Sequence, residues 1–440
     1  MLKSNDQLRA GAARREITPA VGVPLSGFIA RLGVSTDVAS PLFTRALVLS
    51  ARQTTLVLVQ MDLLGLAQWH VDEIRRSCRR MFGIPPENVL ISTTHTHSGP
   101  GLLSVRGCLV AGIKYQWSVI KKTTQAIEQA HAARRHASLR TNRVPFRLGV
   151  NRRQKTEAGI VLGFDSKKPA PRFLDVAEVR MSDGNSCVLF SHAAHPYILG
   201  GDSLLISGDF PSFACRSLEE SAATTAMFLN GCAGDIAPRR AFEGLPAVQE
   251  EGTRAAQAVR DALTKARETR TVPLSAHSEH VHLPHANLPS LADLEGMKVE
   301  QERTVRPQER VNPAIAAKIH SAFEDWAEAL SRTIRGVDVL QPVFSEVQVF
   351  RIGDLCLLGI SGEPFFATGE SISHGSPADN IWALGYCNAY SGYLPTALAF
   401  REGGYEVSDS YRYLGTWRLD ASCEGRVAKV ARQLLNPHGK

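Results

Sequence analysis

Short apolar runs of strand length alternate along the chain with longer segments whose apolar residues recur every three or four positions. Thr55–Met61 is a continuous apolar run, the pattern of a strand covered on both faces. Trp69, Val71, Ile74 and Cys78 follow at helical spacing and predict a helix over about 68–81. Asn88–Thr93 reads as the next strand, and the stretch from about Ile113 to Ala137 as a helix. Further strands are expected at Phe173–Arg180, Cys187–Ser191, Ala226–Asn230, Leu355–Gly359 and Ile381–Gly385. A helix is expected after Asp209, with Asp209 as its cap and Pro211 in its first turn. From about Leu288 to Ile334 the chain becomes charged, with Ile315, Ile319, Phe323, Trp326 and Leu330 spaced as one helix face. That segment reads as an inserted helical hairpin, a lid or a side wall. A last helix covers Cys423–Leu435. The pattern predicts an α/β fold: a mixed β-sheet core flanked by helices, with the hairpin inserted. No linker, low-complexity tract or internal repeat divides it, so residues 1–440 are expected to form one unit.

Composition narrows the class. With 44% hydrophobic and 21% charged residues the chain is neither disordered, collagen-like nor a coiled coil, and no apolar run approaches a membrane span. The net charge is +7, with basic groups at Arg75, Arg76, Arg79 and Arg80 and at Arg134, Arg135, Arg140 and Arg143. Both stretches read as solvated helix faces, or more sharply as a surface for anionic lipid or an acidic substrate. No RNP, zinc-finger or basic-zipper pattern supports a nucleic-acid partner. None of the eight cysteines forms a Cys-x-x-Cys pair, and most sit in apolar runs, as small buried hydrophobes do. The first residues hold no apolar signal segment, so a cytoplasmic location is expected.

Chemistry collects where apolar strands end. Thr94-His95-Thr96-His97-Ser98-Gly99-Pro100 follows one strand, and an extended His-x-His would put both rings on one side. Ser191-His192-Ala-Ala-His195-Pro196 follows another; Pro196 argues against a helix, so one of the two histidines is expected to ligate. Asn230-Gly-Cys-Ala-Gly-Asp235-Ile-Ala237-Pro238 has Gly231 and Gly234 placed to form an anion- or oxyanion-binding loop, or only a tight turn. Glu363 follows a fourth strand, and Tyr390, Tyr393 and Tyr405 follow a fifth. Taken singly, each is as well explained by packing. Together they offer the N and O ligands that suit zinc, which would activate a water and polarise a carbonyl. No Gly-x-Ser-x-Gly elbow, P-loop or Rossmann fingerprint competes. A second histidine group, His277, His280, His282 and His285, reads as a solvated strand.

These segments resemble the neutral/alkaline non-lysosomal ceramidase family. The resemblance runs in order through Ala10–Pro19, Val21–Gly27, Ile91–Pro100, Gly149–Arg152, His195-Pro, Asn230–Pro238, Gly362-Glu363 and Tyr390–Tyr393. It implies a catalytic domain with one zinc per chain held by His95, His195, Glu363 and Tyr393, the last preferred to Tyr390 because the second family tyrosine then falls on Tyr405. It implies His97, Arg152 and Tyr405 as catalytic groups: His97 for proton transfer, Arg152 and Tyr405 for the developing oxyanion. It implies Gly234, Asp235 and residue 237 as substrate-facing. The family serine stands as Ala237 here, and with Lys440 as its last residue the chain is expected to lack the family's C-terminal β-sandwich, so the substrate is left open. The expected activity is zinc-dependent hydrolysis of an amide in a ceramide-like lipid or other acylated small molecule. The alternatives are a non-catalytic ligand-binding relative and a zinc esterase or lactonase.

Overall fold

The computed structural model describes residues 7–303, 312–376 and 380–436. Nine strands form the larger sheet, eight of them in one run: β1 (Arg9–Glu16), β2 (Phe43–Ala51), β3 (Thr54–Met61), β4 (Val89–Thr93), β5 (Arg135–Pro145), β6 (Phe173–Met181), β7 (Ser186–His192) and β8 (Thr224–Asn230). Their order is β8-β7-β6-β5-β1-β2-β3-β4, with the short strand Arg267–Glu268 paired to β5. The two edge pairs, β7·β8 and β3·β4, are parallel and the rest antiparallel. A second sheet joins β9 (Leu274–Leu283), β10 (Val343–Ile352), β11 (Leu355–Ile360) and β12 (Asn380–Leu384).

Strand alternation sorts the apolar side chains into layers. Leu47, Leu49, Leu56, Leu58, Leu189 and Leu229 face Phe350, Leu355, Leu357 and Trp382 of the second sheet across a central core. Ala46, Val48, Val57, Val59 and Ile91 face outward onto α1 (Gln68–Phe82) and α2 (Ile113–Ala132). Val188, Phe190 and Phe228 face α3 (Asp209–Leu218) and α4 (Gly244–Thr264). The second sheet's far side meets the helix Cys423–Leu435. The expected mixed sheet with flanking helices is therefore two stacked sheets between helical layers. Which strands go to which sheet follows from long-range pairing, which local periodicity does not encode.

Two local expectations need correction. The helix expected over 113–137 ends at Ala132, and Arg135, Arg140 and Arg143 lie on β5. The turn at Ala133 lets the chain pair with β1 and β6, so those arginines sit on a sheet, not a helix face. Asp209 is not the cap of α3; Gly208 is. Asp209 lies in the first turn at φ +54° and accepts the N–H groups of Leu199 and Phe210. The inserted region holds α5 (Leu291–Arg303) and α6 (Pro313–Ile334), with residues 304–311 outside the described set. α6 packs Phe323 and Trp326 against Tyr411 and Trp417, and Lys318 Nζ donates to the Arg31 carbonyl at 2.8 Å. It forms a side wall against the loop that carries Arg31.

Candidate metal centre

The carboxyl ends of β4, β7, β8, β11 and β12 point to one place. Asn230 holds two of the loops together there. Its Nδ2 donates to Thr94 O at 3.1 Å and Ala194 O at 3.2 Å. The chain leaving β4 turns sharply at His95, which adopts φ +66°. The His-x-His segment is thus not extended as expected. The strained turn brings His95 and His97 together by another route, with rings 5.1 Å apart. Gly27 makes room, since a Cβ there would lie 2.4 Å from the His97 ring. Arg31 fixes the loop, donating Nη1 to Ser26 O and His97 O at 2.7 Å each and Nη2 to Gly200 O at 3.1 Å.

His95, His97 and His195 place ring nitrogens within 4.8 Å of one another, all buried. His95 Nδ1 lies 2.7 Å from Leu64 O and His195 Nδ1 3.1 Å from Ile236 O. A carbonyl only accepts, so both Nδ1 atoms carry hydrogen and both Nε2 atoms turn to the site. There they meet Glu363 Oε2, at 3.4 Å from His95 and 3.0 Å from His195. Burial, with the Arg152 charge beside it, lowers the His195 pKa to about 4, so this ring is neutral at ordinary pH. Burial works against the Glu363 charge, but His95 outweighs it and holds the carboxyl well below its usual range. A neutral imidazole lone pair thus faces a carboxylate oxygen at 3.0 Å. Two electron-rich atoms at that distance repel unless a cation lies between them. This donor set, each imidazole oriented by a backbone carbonyl, fits a divalent metal.

Glu363 and Tyr393 are Cα partners in the short parallel strands Glu363–Pro364 and Tyr393–Leu394. Tyr393 OH accepts from Arg152 Nη2 at 2.9 Å, whereas Tyr390 OH donates to Glu363 Oε1 at 2.5 Å. Arg152 also holds Glu406 through Nε at 2.9 Å and lies 3.3 Å from His195 Nε2 through Nη1. The Tyr405 ring packs edge-on to Tyr393 at 5.9 Å. The expected ligands and catalytic groups are therefore brought together. His192 is not among them; its ring faces away, between Phe173 O and the N–H groups of Leu148 and Gly149.

The 230–238 loop departs from the expected oxyanion role. Gly234 N donates to Pro364 O at 3.0 Å, and the two Asp235 carboxylate oxygens accept from Phe366 N and Asn151 Nδ2. Ala237 packs with Val150 and Tyr197. These groups are engaged inside the protein: the loop positions Glu363 and Arg152 and presents none of these groups to a ligand. The second histidine group lies along β9, with His277, His280 and His282 exposed and His285 bonded to Thr416.

Residues missed in the sequence are Arg31, Tyr197, Tyr386 and Glu406. Only Arg31, flanked by the Gly27 and Gly33 turns, gave any local sign. An aromatic series leads outward from His97. Phe28 sits 4.9 Å away edge-on, Tyr197 lies 6.0 Å from Phe28, and Phe242 stacks on Tyr197 at 5.5 Å with 63% of its surface exposed.

Residues 8–241 match the model of the neutral/alkaline non-lysosomal ceramidase N-terminal region. The chain belongs to that family. It is 24% identical over 438 residues to the neutral ceramidase of Mycobacterium tuberculosis, covering 82% of this chain and 66% of that protein, just under two thirds of its length. In fold it is similar to the neutral ceramidase of Pseudomonas aeruginosa, with a TM-score of 0.74 at 18% identity, over 98% of this chain and 74% of that one. It is also similar to a ceramidase complexed with C2, with a TM-score of 0.72 at 18% identity, over 98% and 75%. The ceramidase match ends at 241, so it takes in the histidine loops, Arg152 and the 230–238 loop. Glu363 and the tyrosines are joined to them by the fold.

Proposed function

We propose that this chain is a zinc-dependent hydrolase that cleaves the amide bond of a ceramide-like N-acyl lipid. The observation that carries the reading is the meeting of two carbonyl-oriented imidazoles on one buried carboxylate oxygen, in a chain of a ceramidase family. In this reading His95, His195 and Glu363 hold the ion, with Tyr393 as fourth ligand. A zinc ion there supplies an activated water and a polarised carbonyl. Tyr390 orients Glu363 through its 2.5 Å hydrogen bond. Burial, with His95 and His195 nearby, keeps His97 neutral, and neither of its nitrogens has a partner, so either can receive a hydrogen in the reaction. Arg152, locked by Glu406, places fixed positive charge beside the reacting carbonyl. The Phe28–Tyr197–Phe242 series supports an apolar substrate entering from that side. Among the described residues no helix is long and apolar enough to cross a membrane, so the lipid would be taken from an interface or a carrier.

Metal content of untagged protein by plasma mass spectrometry tests this. About one zinc per chain is expected, lost in His195→Ala and Glu363→Gln while the fold persists. Glu363→Gln is expected to lower amide hydrolysis at least ~1,000-fold. A matched ester and amide pair separates an amidase from an esterase. A folded protein that takes up no zinc on titration would sink the reading.

A further inference from the structure

Tyr386 follows β12, in a position that local pattern did not mark. Its side chain is 3% exposed, and its hydroxyl is buried with no hydrogen-bond partner. The ring stacks on His95, centroids 4.2 Å apart and 28° from parallel, and meets His195 edge-on at 5.9 Å. Its backbone lies in the left-handed region at φ +56°, where a bulky residue is strained. Both sides of the residue are tied down: its N–H donates to Gly362 O at 2.8 Å, and its carbonyl accepts from Thr93 N at 3.1 Å and Thr93 Oγ1 at 3.2 Å. An orphan buried hydroxyl and a strained backbone both destabilise the protein, and phenylalanine would fill the same space without the first cost.

The neighbouring donors are already engaged. Tyr390 OH is on Glu363, and Arg152 is shared among Glu406, Tyr393 and His195. His97 is also unpartnered, as are the Thr94, Ser98 and Ser361 hydroxyls, and the proposed hydrolysis uses His97 for proton transfer. The Tyr386 hydroxyl, unpartnered and on a ring stacked on His95, is therefore free to donate to a carbonyl oxygen gaining negative charge there, in addition to Arg152 and Tyr405. We propose that Tyr386 is a further catalytic residue, whose hydroxyl donates a hydrogen bond to the carbonyl oxygen of the bound substrate. The inference rests on the amide-hydrolase reading above. The phenol gives up no proton; its hydrogen bond strengthens as the oxygen becomes an oxyanion, which favours the transition state over the ground state.

The test is Tyr386→Phe in the full chain, with three readouts. Zinc content is expected to stay near one per chain. Affinity for acetohydroxamate, whose carbonyl oxygen seeks the metal, is expected to fall about tenfold by calorimetry, the loss of one hydrogen bond. Turnover is expected to fall roughly 100-fold, with KM changed less than about threefold. A variant that binds hydroxamate and turns over like the parent overturns the proposal. So does a variant that loses zinc, because Tyr386 would then be a ligand. A parent protein that takes up no zinc marks failure of the hydrolase reading itself, visible before any substitution, and the proposal falls with it.

Discussion

His192 ends β7 and His195 follows three residues later, and their hydrogen bonds separate their roles. His192 Nδ1 lies 2.8 Å from Phe173 O and must donate, while Nε2 accepts from Leu148 and Gly149 N–H at 3.4 and 3.3 Å. A proton added at Nε2 would break both of the latter bonds. Burial lowers the His192 pKa to about 4 from the ordinary 6.5. The unfolded chain thus binds a proton between pH 6.5 and about 4 that the folded chain refuses. Stability is full above pH 6.5 and falls as pH drops through that window, by up to about 3 kcal/mol at ~1.4 kcal/mol per pKa unit. Denaturant melts at pH 7 and pH 5 should show the loss, and His192→Gln should flatten that part of the profile. An unchanged profile in the variant would assign the acid sensitivity elsewhere. His195, by contrast, leaves Nε2 free of backbone donors and facing Glu363, which is what makes it available to a cation.

At the scale of elements, the site depends on loops pressed close at their backbones. Gly234 lies so near the Glu363 strand that a Cβ would stand 2.4 Å from the Glu363 carbonyl oxygen. Backbone cannot yield as a flexible side chain does, so one of the two loops must shift. Gly234→Ala is expected to cost roughly 1–3 kcal/mol. It should also weaken zinc retention at least tenfold, measured by competition with a chelator. Retained zinc at parental affinity would show that the 230–238 loop does not position Glu363. The same close approach explains why the loop has no N–H to offer at Gly234: its donor is already on Pro364.

Over the whole molecule, the two sheets are joined by buried charge as well as by apolar packing. Arg75 on α1 donates Nη1 and Nη2 to the two oxygens of Glu346 on β10, each at 2.9 Å, and Nε and Nη2 reach Val89 O. Ser278 Oγ and Gln348 complete the cluster. Removing one partner leaves an uncompensated charge in the interior. Glu346→Ala is expected to destabilise the fold by about 3–5 kcal/mol, read from urea unfolding. Replacing both Arg75 and Glu346 with apolar residues should restore much of that loss. A double variant as unstable as the single one would mean that the cluster acts through its hydrogen bonds to Ser278 and Gln348. The pair spans the helix–sheet layer that carries His95 and the sheet that delivers Glu363. Its integrity is therefore a condition for the candidate ligands to meet.

Strands such as Val89–Thr93 and Thr224–Asn230, and helices such as Gln68–Phe82, were legible because apolar periodicity is local and survives in any context. The order of chemistry along the chain, each polar group following a strand, was legible for the same reason. His95, His195, Glu363, Tyr393, Arg152 and Tyr405 could be singled out from motifs. What the residues could not specify is direction. Whether His95 or His192 turns Nε2 toward the site depends on a carbonyl at Leu64 or an N–H at Gly149, each supplied by a distant segment. Tyr386 carried no signal, because a tyrosine after an apolar strand looks like packing until its hydroxyl is found without a partner beside His95. The helix expected to run to Ala137 failed because the competing partner, strand β1, lies more than a hundred residues away. Sequence alone determined the elements and the candidate ligands. The tertiary structure decided which sheet each strand joined and which nitrogen faced the carboxylate, since both depend on hydrogen bonds between residues far apart in the chain.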